Sequence, residues 1–335
     1  MKSKYYPCLD GLRAYSALGI MMMHVLSNGD YQLKGFVFER LIPSFTDLVF
    51  LFMVLSGFSM CCGYYEQFIS GELDLEAFYK KRFRKVWPFF ACLCAIDFIV
   101  SPSINSLYEI FANLTLCFGL LPNAKISVIG VGWFLGLVFV FYFLFPFFCY
   151  LLSNKRRAWL SFGLALIMNY LCVVRFDAGR TNIAYSAVFF LCGGLVYIYR
   201  DILQKLANSY GALLIVGLIL SAWFYYTAEN KVVPILLWCA LVLIFVLRTN
   251  KHKFSFLSNS VVYALSKISM EIYLSHMVIF RVLEKMNLLH IVDSDAVSYA
   301  IATIGTITGT VLFSIIISKT INLVERRLLR RIKIG

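Results

Sequence analysis

The chain reads as an all-α, polytopic integral membrane protein of about ten transmembrane helices, with both termini cytoplasmic. Three observations predict this. Of its 335 residues, 61% are hydrophobic and only 15% charged, whereas a soluble domain carries about 25% charged residues. The mean hydropathy is +0.79, and that much apolar surface needs lipid as its solvent. The net charge of +13 lies in short stretches between apolar runs, where basic residues orient helices in a bilayer. That distribution argues against a nucleic-acid-binding surface.

A spanning helix needs about 20 mostly apolar residues. In chain order the windows are 9–27, 44–65, 86–101, 130–152, 158–175, 183–199, 210–227, 232–248, 261–280 and 297–318. The first is a retained anchor, because no small-residue cleavage site follows Met21–His24. The stretch 104–122 is apolar but interrupted by Asn105, Asn113 and Pro122, with Pro102 just before it. Charge decides its place. With ten spans the cytoplasmic segments hold 21 Lys and Arg and the outer segments 8. Those outer eight include Lys125, Arg175, Arg180 and Arg281. An eleventh span would put Lys155–Arg157 outside, against the positive-inside rule. The stretch 104–122 is therefore an outer-face or re-entrant element. Residues 1–318 form the membrane domain, and 319–335 a basic cytoplasmic tail that reads as an amphipathic helix on the inner leaflet. The ten cysteines sit mostly inside apolar runs with no paired CxxC spacing, so they read as packing residues and no metal site is expected.

Ionisable residues inside a span cost on the order of 2.5–3.5 kcal/mol each, so they mark candidate sites. Arg13 and His24 lie in the first window. Eleven residues are close to three turns, so the two side chains share a helix face, about 16 Å apart along the axis. Arg13 lies toward the cytoplasmic end and His24 in the outer half, which suits the wall of a tunnel. Asp10 is placed to cap the helix or to pair with Arg13. Ser56 and Gly57 suit a close helix contact. His252 and His290 read as ordinary loop residues.

Five segments, 9–25, 50–60, 78–88, 132–146 and 267–276, resemble in that order those of the membrane-bound acyltransferase family 3. LDGLRAYSALGIMMMHV (9–25) is similar to the family's opening helix, with Arg, ten residues, then His. FLFMVLSGFSM (50–60) resembles its second helix. FYKKRFRKVWP (78–88) is similar to its basic, aromatic cytoplasmic loop, GWFLGLVFVFYFLFP (132–146) to its Trp helix, and KISMEIYLSH (267–276) to a late helix. Departures occur at Val138 and Phe50, where many members carry acids; Asp47 sits about one turn before Phe50. Some basic positions of the loop are Lys rather than Arg.

The resemblance implies transfer of an acyl group, most often acetyl, from cytoplasmic acetyl-CoA to a hydroxyl of a cell-envelope polysaccharide or lipid-linked saccharide. The enzyme would be an O-acyltransferase of the bacterial cytoplasmic membrane with acyl-CoA as co-substrate and no tightly bound cofactor. His24 would act as general base or as transient acyl carrier, and Arg13 would orient the donor. Arg82, Lys85 and Lys81 would hold the CoA phosphates. His276, Tyr273, Glu271, Trp133 and Tyr142 are candidates for the acceptor pocket. A second reading is a transporter or flippase of lipid-linked glycans, which would share the spans and polar cavity without acyl transfer.

Overall fold

In the computed structural model, residues 6–100, 102–116, 120, 129–248 and 255–332 are described. Lys125, Pro122, His252 and the last residues of the tail lie outside them. The described residues contain helices and no strand. The order is α1 (Pro7–Asn28), α2 (Ile42–Ser44), α3 (Leu48–Ile69), α4 (Leu75–Val100), α5 (Ile104–Leu114), α6 (Trp133–Phe143), α7 (Phe145–Leu152) and α8 (Lys155–Arg175). There follow α9 (Ile183–Ile198), α10 (Arg200–Ser209), α11 (Gly211–Thr227), α12 (Val232–Leu247), α13 (Ser255–Ser258), α14 (Ser260–Lys267), α15 (Ser269–Lys285) and α16 (Asp295–Ile332).

Each predicted window falls on a helix or on a consecutive pair. By length and apolar content alone, three described stretches suffice to cross a membrane: Val37–Ile69, Lys155–Arg175 and Asp295–Arg327. Two bent pairs raise the number to five: α6–α7, bent by 61°, and α9–α10, bent by 76°. The first bend falls where Pro146 enters the opening turn of α7, a position that proline tolerates but that ends the preceding helix.

On three helices polar side chains face inward and large apolar ones outward, around a core that is otherwise apolar. On α5, Ile104, Leu107, Tyr108 and Phe111 face outward while Ser106 and Asn113 are buried. On α8, Leu160, Leu164, Ile167 and Val173 face outward, and buried Asn169 donates to the Tyr185 carbonyl at 2.8 Å. On α16, Thr303, Thr306, Thr310 and Ser314 form a buried stripe at helical spacing, and Ile304, Leu312 and Ile316 are exposed. Small polar residues inside and large apolar ones outside are what lipid selects. The chain is a helical membrane protein.

The tightest seam joins α3 to α9. A Cβ on Gly57 would run into the Phe190 carbonyl, and one on Gly193 into the Val54 carbonyl. Glycine at both positions lets the two backbones touch. Beside this seam, Phe50 stacks on Phe189 at 4.2 Å and Val138 is fully packed. The two positions that depart from the family's acids are thus part of the apolar core.

Two boundaries differ from the sequence expectation. The basic run 80–85, read as a loop, is helical, because α4 begins at Leu75. The Asp74 carboxylate accepts from the Ala77 backbone N–H at 3.0 Å, which starts the helix before the charged residues arrive. The second difference is at α16, which runs unbroken through Lys319 into the basic tail. At about 1.5 Å per residue this helix outreaches a hydrocarbon core about 30 Å thick. Within 104–122, α5 folds back along α4, and the Leu114 carbonyl accepts from Trp87 Nε1 at 2.9 Å.

Candidate active site

Helix α1 holds Arg13 and His24 on one face, and that face opens into two cavities. The first, about 330 Å³, is lined by Arg13, Asp10, Arg82, Lys85, Tyr142 and Ser266 among others. The second, about 300 Å³, is lined by His24, Thr46, Trp133, Arg180, Tyr273 and Arg281 among others. Tyr273 lines both. With Phe52 and Phe134 it makes an aromatic waist, its ring centroid lying 6.3 Å and 5.3 Å from theirs.

In the Arg13 cavity Arg13 meets an acid, while Arg82 has no ion-pair partner among the described residues and its Nε is buried without a hydrogen bond. Arg13 donates to Ser59 Oγ at 2.5 Å and faces Asp10 at 3.5 Å. Ser266 Oγ in turn donates to Asp10 at 3.1 Å, tying α14 to α1. Arg82 donates to the Tyr64 hydroxyl, and its guanidinium lies 4.7 Å from the Tyr64 ring and 5.5 Å from that of Tyr142. Two aromatic faces hold the guanidinium plane in place. Lys85 and the Glu271 carboxylate attract one another, while Glu271 Oε2 is buried with no hydrogen-bond partner among the described residues. Lys81 is exposed, 6.0 Å from the Tyr64 ring, and does not line the cavity. Arg84 pairs instead with Glu325 of α16.

In the other cavity, half-buried His24 lies beside His276, ring centroids 5.1 Å apart. His276 is 1% exposed, and its Nδ1 is 2.6 Å from the Tyr273 carbonyl. A carbonyl only accepts, so Nδ1 carries the proton and Nε2 keeps its lone pair. That Nε2 is buried without a partner among the described residues.

The structure therefore divides the acceptor-pocket candidates. Trp133 stands with His24, and Tyr142 stands with Arg13 and Arg82. Nine residues of helix turn a side chain by about half a revolution, which separates these two. Glu271 lies on the Lys85 side of Tyr273, and His276 lies beside His24.

Sequence reasoning missed Arg180. It precedes α9, donates to Thr46 Oγ1 at 2.7 Å and lies 5.4 Å from the Trp133 ring. Asp47 accepts from the Tyr225 hydroxyl at 2.7 Å nearby. The only signal for Asp47 was its position one turn before Phe50; Arg180 had none.

Comparison with curated proteins and with solved structures finds no match. The family model described as an acyltransferase domain matches residues 6–319. The match takes in the helices that line both cavities, and the chain belongs to the acyltransferase 3 family.

Proposed function

We propose that this protein moves an acyl group, acetyl in the first instance, from cytoplasmic acyl-CoA to a hydroxyl of a cell-envelope polysaccharide or lipid-linked saccharide. It would do so from the bacterial cytoplasmic membrane, crossing it about ten times with both termini inside. Contacts between loops support that layout. Segments assigned to the inner side meet one another: Arg200 with Glu66 at 3.7 Å, Arg84 with Glu325, and Tyr65 with the Leu152 carbonyl at 3.4 Å. Outer segments do likewise: Gln32 with Asp295 at 2.7 Å, Tyr31 with the Leu289 carbonyl at 3.1 Å, and Thr46 with Arg180.

The observation that carries the reading is the division of one helix face between two cavities, Arg13 in one and His24 in the other, with Tyr273 between them. The Arg13 cavity is the donor side. Arg82 and Lys85 there would bind the CoA phosphates, and Tyr142 stacks on the Arg82 side of the same space. Arg13, about 16 Å from His24 along the helix axis, would hold and orient the donor, whose acyl end reaches past Tyr273 toward His24. The His24 cavity is the acceptor side. In direct transfer, His24 takes the proton of the acceptor hydroxyl as the new C–O bond forms and the C–S bond breaks, releasing CoA as its thiol after protonation. In a relay, the His24 ring nitrogen attacks the thioester, the C–S bond breaks and CoA leaves as its thiol; the acceptor hydroxyl then attacks the acyl-imidazole, and its proton stays with the freed ring.

The test is His24→Ala in the purified full-length protein, reconstituted in lipid and supplied with acetyl-CoA and envelope glycan. General-base contributions are about 10²–10⁴-fold, and a loss of CoA release in that range is expected, with binding of acetyl-CoA retained. Undiminished release would end the proposal. A trapped acetyl-imidazole on His24 in the wild type would choose the relay.

A further inference from the structure

Among the described residues, the His24 cavity is lined by two arginines, Arg180 and Arg281, and by no Asp or Glu. They come from different parts of the chain, the segment before α9 and helix α15. Arg180 is only partly exposed, yet among the described residues no carboxylate lies within ion-pair distance of it. Its guanidinium makes one hydrogen bond there, to Thr46, and is braced by the Trp133 ring. Ser186 Oγ donates to its carbonyl at 2.9 Å, which fixes the backbone of the segment. A guanidinium has five donors, so most of the fork is left for something else.

Two acids moderate this charge without filling the cavity. Asp47 acts on Arg180 electrostatically, but its carboxylate is engaged by Tyr225 and lines a separate apolar cavity. Asp97 lies 3.7 Å from Arg281, whose side chain is 54% exposed at the rim. A braced, partly desolvated guanidinium with no carboxylate of its own is costly unless a ligand brings the anion. Planar oxyanions fit its fork bidentately.

Building on the acyl-transfer reading above, we propose that the acceptor is an anionic saccharide whose carboxylate or phosphate is seated by Arg180, with Arg281 at the rim, so that its hydroxyl is presented to His24. Neutral sugars would enter the same cavity without that anchor.

The experiment uses the full-length protein in lipid nanodiscs with three probes: phenyl glucuronide, the matched phenyl glucoside, and glucose 1-phosphate. Equilibrium binding is measured without donor, and CoA release with acetyl-CoA present. At least one anionic probe is expected to bind about tenfold more tightly than the glucoside, weakening as salt rises. Preference for the glucuronide assigns the anchor to a sugar carboxylate, and preference for glucose 1-phosphate assigns it to phosphate. In Arg180→Gln the advantage should fall below about threefold through KM rather than kcat, and Arg180→Lys should restore part of it. Equal binding of all three probes to the wild type overturns the proposal without any variant, as does an undiminished preference in folded Arg180→Gln. Arg180-dependent anion binding with no CoA release from any probe would overturn the acyl-transfer reading and leave the anion site standing. Equal acylation of charged and neutral probes would do the reverse.

Discussion

The Arg13 cavity and the His24 cavity draw on the same four helices, α1, α3, α6 and α15, but among the described residues only the first has a carboxylate, Asp10, in its lining. Around Arg13, cations meet Asp10, Ser59, the Tyr64 hydroxyl and the neighbouring Glu271. Around His24, Arg281 meets Asp97 at the rim, while Arg180 meets only a threonine hydroxyl and an aromatic ring at close range. A charge already answered by the protein can position a group without binding it tightly. A charge left open advertises for a ligand. In the proposed reading one helix face serves two tasks, with the waist at Tyr273 between them.

The largest expected effect breaks the first half of this comparison. Arg13→Ala removes the cation that Asp10 faces and the group proposed to hold the donor. We expect kcat/KM for acetyl-CoA to fall by about 10², and Arg13→Lys to recover only part, because a lysine cannot reach Ser59 and Asp10 with one fork. CoA release measures both; a fall below tenfold would remove Arg13 from the chemistry. Next in size, Tyr273→Ala opens the waist and merges the cavities. Transfer to glycan should drop about tenfold, and acetyl-CoA hydrolysis without acceptor should rise, because water reaches the donor. Unchanged hydrolysis would show that the waist does not partition them. Arg82→Ala should raise KM for acetyl-CoA about tenfold, about 1.4 kcal/mol, with little change in acceptor KM. Initial rates at varied donor and acceptor separate the two constants.

Much of this was legible in the chain. The ten apolar windows are helices because runs of Leu, Ile, Val and Phe in lipid have no other way to satisfy their backbone. The shared face of Arg13 and His24 followed from helical periodicity alone, and the two cavities open along it. The start of α4 was harder to read. Its first turns are charged and aromatic, so no apolar period marks them, and the Asp74 cap was the one local cue. Arg180 was illegible for a different reason. It sits in a short polar segment before α9, and its importance comes from meeting Thr46 and Trp133, which only the folded bundle brings together. The split between Trp133 and Tyr142 was present in the sequence as a half-turn of phase, but both were grouped by residue type.

The smallest effect gives the sharpest test of how the basic stretch works. If Lys80–Lys85 acts only as a cloud of positive charge, each residue should matter about equally, and salt should abolish the contribution. The placement on α4 argues otherwise. Arg82 and Lys85 line the cavity, Arg84 is committed to Glu325, and Lys81 is exposed outside the lining. A lone exposed ammonium contributes little to holding a phosphate that other groups already grip. Lys81→Ala should therefore change KM for acetyl-CoA by no more than about twofold, about 0.4 kcal/mol. In the same assay Lys85→Ala should change it several-fold more. Equal effects of Lys81→Ala, Lys85→Ala and Arg82→Ala would mean that the donor side recognises charge without geometry, and the contrast between the two cavities would then lie only in the His24 cavity.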